Sequence, residues 1–121
     1  MEFESTVRKQ STRYPGVEFV IARMSLGRRI ALGERIREAG LKGEFLAASD
    51  RAADQVEVAV LHRQIEKIYL EWGLLSVHGL RIDAQNASPQ SLIERGPEDL
   101  TGEILTAIRA ELQLSEAERK N

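Results

Sequence analysis

The chain has 121 residues, 42% of them hydrophobic, 30% charged and only 5% aromatic, with no cysteine and a formal net charge of −2. That length suffices for one domain with a mostly aliphatic core, and the missing cysteine excludes disulfides, thiolate metal sites and cysteine catalysis. Residues 1–48 hold nine Lys/Arg against six Asp/Glu, and residues 49–121 hold eight against thirteen. This is a dipole able to orient a partner, yet too mild to mark a nucleic-acid surface.

In chain order, residues 1–14 are polar and alternate weakly, which predicts a flexible or edge segment. No apolar middle of a signal peptide appears in MEFESTVRKQ, and no apolar run reaches membrane-spanning length, so the expected location is the cytosol. Pro15-Gly16 is a turn pair, and residues 15–112 read as the single globular domain. VEFVIARM, Val17 to Met24, has the content of a strand with Val17, Phe19 and Ile21 on one face and Val20, Ala22 and Met24 on the other. Ser25 caps a helix through LGRRIALGERIREA. Its expected buried stripe is Leu26, Ile30, Leu41 and Phe45, widened by Leu32 and Ile36. Gly27, Gly33, Gly40 and Gly43 each weaken that helix by up to about 1 kcal/mol relative to Ala, with Gly40 the place for a break.

Ser49-Asp50 opens the next helix, RAADQVEVAVLHRQIEKIYLEW. Leu61, Ile65, Ile68 and Trp72 form a continuous seam, while Arg63, Gln64, Glu66, Lys67 and Glu71 face water. Gly73 stands in the helix-stop position. LLSVHGLRIDAQNA predicts a small extended element or hairpin. Ser88, followed by Pro89 at the first helical position, starts a short helix through Ile93. Gly96-Pro97 stops and restarts the chain, and Glu98 and Asp99 complement the dipole of a last helix whose stripe is Leu100, Ile104, Ile108 and Leu112. Residues 113–121 read as a polar C-terminal tail in which Ser115 and Glu118 have the spacing of a capping box, a helix start at the end of the chain. The expected fold class is a small, mainly helical α+β domain with three or four helices and a minor N-terminal and central β element.

Motifs of chemistry come up empty: no Walker loop, dinucleotide fingerprint, nucleophile elbow or zincin helix is present. His62 and Glu66 share a helical face at a spacing two metal ligands can use, but two ligands make no site. His78, beside Gly79, has no evident carboxylate or serine partner in the sequence and reads as a turn residue. Glu98 and Asp99 are explained by their place at a helix start. No catalytic, cofactor-binding or metal residue is therefore assigned. Gly40-Leu41-Lys42-Gly43 fits the GXXG loop of KH domains and supports a nucleic-acid alternative. Against it stand the single basic residue, the overlong segment that follows and a sequence pI of about 5.8. The candidate partner-binding residues are Arg28, Arg29, Ile65, Tyr69 and Trp72. The seam that holds the last three is ordinarily a core face, and a homo-oligomer would be sought there first.

The stretch from Trp72-Gly73-Leu74 through VHGLRID, the Ser88-Pro89 helix start, IERGPEDLTGEILTAIRAELQLS and the closing ERKN resembles tail assembly chaperones of long-tailed bacteriophages and prophages. GVEFVIARMSLGRRIAL also looks like the N-terminal part of such proteins, so the resemblance spans most of residues 16–121. It implies a non-enzymatic protein of the host cytoplasm that binds the phage tape measure protein and aids assembly of the tail tube, with no cofactor. It also implies that the Ser115 helix start is a frameshift junction, because Arg119-Lys120-Asn121 can be encoded by a slippery A run. The alternative with the same genomic setting is a structural tail or head–tail connector protein that stays in the virion.

Overall fold

The computed structural model describes residues 1–47 and 52–120, with side chains described at 1–40 and 58–113. In chain order the elements are β1 (Thr6–Gln10), β2 (Glu18–Ala22), α1 (Leu26–Ala47), α2 (Ala52–Gly73), β3 (Leu74–His78), β4 (Arg81–Ile82), β5 (Gln85–Asn86), α3 (Pro89–Arg95) and α4 (Glu98–Lys120). Among the described residues the fold is a small α+β domain of four helices with a three-stranded antiparallel sheet, ordered β1-β2-β3, and a two-stranded hairpin, β4-β5.

Register sorts the sheet into two faces. Val7 pairs with Ile21 and Lys9 with Phe19, while Phe19 pairs with Val77 and Ile21 with Leu74. Side chains alternate along a strand, so Phe19, Ile21, Leu74 and Val77 share the inner face and are buried. Arg8, Gln10, Glu18 and His78 take the outer one. A bulge between Val20 and Ile21 shifts the β2–β3 register at Leu75. The helices cover the inner face, and Leu92 of α3 with Leu100, Ile104 and Ile108 of α4 complete a core with Phe19 and Ile21 at its centre. Leu112 packs on its margin.

Local chemistry sets the element ends. Ser88 and Ser91 form a reciprocal capping box with Pro89 in the first turn of α3, which runs two residues past Ile93. Glu98 and Asp99 open α4. Asp83 and Ala84 both have positive φ, 52° and 64°, the backbone of a two-residue type I′ hairpin turn. The β1–β2 loop is clamped to α4 by a carboxylate. Glu103 accepts from Ser11 Oγ at 2.6 Å, Thr12 N–H at 2.7 Å and Thr12 Oγ1 at 2.8 Å, while Tyr14 donates to Asp99 at 2.6 Å.

Four expectations change. Helix α1 runs unbroken through Gly40 to Ala47, so the glycine costs helix propensity without breaking the ladder. Gly40 to Gly43 consequently lies inside a helix, and no GXXG loop exists to clamp a nucleic-acid backbone. Leu26 and Ile30 are exposed, at 78% and 53%, and the buried side of α1 is carried by Leu32 with Ile36 packed beside it. Finally, α4 continues through Ser115 to Lys120, so the capping-box spacing there opens no new helix and residues 113–120 belong to α4. The Ser49-Asp50 helix start and the side chains of Leu41 and Phe45 lie outside the described residues.

Candidate interaction surface

Arg28 and Trp72 meet where α1 begins and α2 ends. Ser25 caps α1 by accepting the Arg28 N–H at 3.3 Å, which fixes the first turn and aims Arg28 at the last turn of α2. There the two helices grip each other reciprocally. An Arg28 guanidinium N–H donates to the Trp72 carbonyl, Trp72 Nε1–H donates to the Arg28 carbonyl at 3.0 Å, and the guanidinium carbon stands 4.9 Å from the indole centroid. A cation on the terminal carbonyls also complements the C-terminal end of the α2 dipole. Trp72 is only 8% exposed, so it serves the core and the α1–α2 junction.

The other sequence candidates divide. Tyr69 is half-buried against the core, with the Arg109 guanidinium 5.5 Å from its ring. Ile65, one turn earlier, and Arg29, beside Arg28, are half-buried. The structure thus brings Arg28 and Trp72 together and leaves Ile65 and Tyr69 further back along α2. Gly73 keeps a helical place, and a Cβ on it would come within 2.8 Å of Ile108. Its absent side chain lets the end of α2 press onto α4.

Several large apolar side chains that the sequence pattern expected inside, or did not single out, are exposed. Leu26 and Ile30, one turn apart, point to solvent from α1. The N-terminal segment is tied down next to β2: Arg23 Nη1 donates to the Glu4 carbonyl at 3.4 Å and Arg23 N–H to the Ser5 carbonyl at 2.9 Å. This holds the neighbouring Phe3, 60% exposed, on the chain that reaches α1. Leu75, 42% exposed, sits three residues beyond Trp72 in β3. Met1 and Val60 are the other large exposed hydrophobic side chains among the described residues. A signal was present in the sequence, because Leu32 and Ile36 offered a second stripe on the same helix.

A second feature lies among the helices. A groove of about 460 Å³ between α2, α3 and α4 has Leu70, Ile93 and Leu105 in its lining and Arg63, Glu66 and Glu98 at its rim. Lys67 crosses it to Glu94 at 2.9 Å; this hydrogen bond raises the Lys67 pKa and lowers that of Glu94. His62 is exposed, and Glu66 accepts from Arg63 at 3.3 Å. His78 has partners that the sequence did not suggest: Ser76 Oγ lies 3.1 Å from its Nε2, and Glu18 stands directly across the strand pair. The Glu18 carboxylate is held by Arg8 at 2.8 Å and Gln10 at 3.3 Å, and Arg8 is the main cause of its lowered pKa. Among the described residues, no three His, Cys, Asp or Glu side chains are grouped to hold a metal, and no helix is long and apolar enough to cross a membrane.

No family model, curated protein or solved structure matches the chain. What the molecule offers a partner is the outward face of α1, with Leu26 and Ile30 exposed on a helix whose first turn is held to the end of α2 by Arg28 and Trp72.

Proposed function

We propose that the chain is a non-enzymatic phage tail assembly chaperone. It binds the long, helix-rich tape measure protein in the host cytoplasm and aids assembly of tail tube protein around it. The observation that carries this reading is the outward placement of Leu26 and Ile30 on the first two turns of α1. Exposed aliphatic side chains at i and i+4 on a fixed helix are the pattern against which an amphipathic client helix packs. Contiguous apolar surface on a small domain marks an interaction site. The Arg28–Trp72 lock supports the same reading, because a helix already fixed in place loses little conformational freedom when a client docks.

Coexpression tests this directly. The tape measure protein encoded beside this chain's gene should be insoluble alone and soluble when the chain is made with it. A tape measure protein that stays insoluble, or that needs no help, contradicts the proposal. Mass spectrometry of purified virions should find this protein absent from the finished particle, whereas a structural tail or connector protein would be present.

A further inference from the structure

We propose that the trench between α2, α3 and α4 is a docking site for a basic, partly apolar peptide segment of a partner, with Lys67 filling the place of the partner's cation in the free protein. Two adjoining hollows, of about 460 and 310 Å³, share Lys67, Ile93 and Glu94. They form one trench along α2 from Arg63 to Glu71. At 1.5 Å per residue that stretch of helix is about 12 Å long, room for roughly three or four extended residues. The floor is apolar: Leu70 and Leu105 are buried, and Ile93 packs against the same core. Each hollow has the volume of a ligand-binding cleft.

Charge decides the occupant. The trench is lined by four carboxylates, Glu66, Glu71, Glu94 and Glu98, against two cations, Arg63 and Lys67. Arg35 reaches Glu71 from α1 at 3.1 Å. Arg63 is engaged by Glu66 at 3.3 Å and stands 4.0 Å from Glu98, whose side chain is 89% exposed. Glu98 therefore has charge to spare for a partner. Lys67 lies 2.9 Å from Glu94 and 3.9 Å from Glu71, an ammonium held between two carboxylates where the hollows meet. A partner's lysine or arginine would find the same two groups. Both members of the Lys67–Glu94 pair are about half exposed, and exposed ion pairs hold weakly, so Lys67 can swing into solvent at little cost. An acidic segment would meet the carboxylate excess, and a wholly apolar one would desolvate it without a counter-charge. The half of the chain that builds the trench agrees. Residues 49–121 carry thirteen Asp/Glu against eight Lys/Arg, a field that draws in a basic partner. The trench is separate from the outward face of α1, and the inference stands whether or not the client is a tape measure protein.

The test is fluorescence anisotropy on the purified chain with two labelled, end-blocked peptides, one of alternating leucine and lysine and one of alternating leucine and glutamate. The lysine peptide should bind wild type, and the glutamate peptide should bind at least about tenfold more weakly. Glu94→Gln/Glu98→Gln should weaken the lysine peptide by about tenfold. Glu34→Gln/Glu38→Gln removes the same charge from exposed positions on α1, outside the trench, and should leave binding unchanged. Lys67→Met should tighten binding by about threefold or more, because it frees Glu94 and removes a competing ammonium. All these positions are exposed or half-exposed, so the circular dichroism melts should match wild type. Failure of the lysine peptide to bind, equal binding of the two peptides, a Lys67→Met variant that binds no better, or a loss as large in the α1 control as in the trench variant would each overturn the proposal.

Discussion

Gly79 sits so close to Gly16 that a Cβ on it would lie 2.1 Å from the Gly16 carbonyl oxygen. The two residues also have positive φ, 80° and 85°, so the turns bounding β2 and β3 nest backbone against backbone. Gly79→Ala must both strain φ and displace a main-chain carbonyl. It should lower unfolding free energy by about 2–4 kcal/mol, whereas Gly16→Ala, with nothing within 4 Å, should lose only about 1 kcal/mol from strain. Urea denaturation of the two variants checks the ordering.

The Arg28–Trp72 lock predicts coupling. Trp72→Phe leaves the Arg28 carbonyl without its indole donor, and Arg28→Met removes the guanidinium that covers the ring. Arg28 Nε is buried without a hydrogen-bond partner, so losing it offsets part of the loss from Arg28→Met. A double-mutant cycle by chemical denaturation should return an interaction energy of about 1–2 kcal/mol. A value near zero would show the two helix ends to be held independently.

Glycine is used against its nature at one site and withheld at another. Gly40 is helical with open space around it, so Gly40→Ala should stabilise the domain by about 0.5–1 kcal/mol. Ala84 holds φ of 64° in the β4–β5 turn, so Ala84→Gly should stabilise by about 1 kcal/mol. Raised thermal midpoints in both variants would confirm the backbone assignments.

These glycines show what the sequence could and could not disclose. Ser25, Ser88-Pro89, Gly96-Pro97 and the Leu100–Ile104–Ile108 stripe were legible because caps and periodicity act locally. The orientation of α1 was not, because Leu26–Ile30 and Leu32–Ile36 are both aliphatic pairs at i, i+4 and only tertiary packing chooses between them. That choice turned the candidate surface outward. Trp72, chosen as a partner-binding residue, belongs to the core, and its true relationship with Arg28 spans 44 positions. Gly73 ends α2 as its stop position predicts, and it also makes room for Ile108, a contact no local pattern discloses. The His78–Ser76–Glu18 neighbourhood required strand register, which composition alone does not supply.

The clamp on the β1–β2 loop predicts a pH dependence. Partial burial pushes the Glu103 pKa up, but hydrogen bonds from Ser11 and Thr12, with the charge of Arg13, outweigh it and leave it below the ordinary 4.5. A depressed folded-state pKa contributes stability that is complete above the unfolded value and is lost as pH falls through the folded one. Glu103→Gln should therefore cost about 1–2 kcal/mol at pH 7, and its deficit relative to wild type should shrink as pH drops below 4.5. Denaturation curves between pH 7 and about pH 3 measure both effects.

On the proposed function, the exposed Leu26 and Ile30 cover another protein's apolar helices. The most direct measurement is the soluble fraction of tape measure protein coexpressed with wild-type chain or with Leu26→Asp/Ile30→Asp. Both positions are exposed, so the variant should fold with an unchanged melt. Soluble client is expected with wild type and aggregated client with the variant. Equal solubility in the two cultures would contradict it.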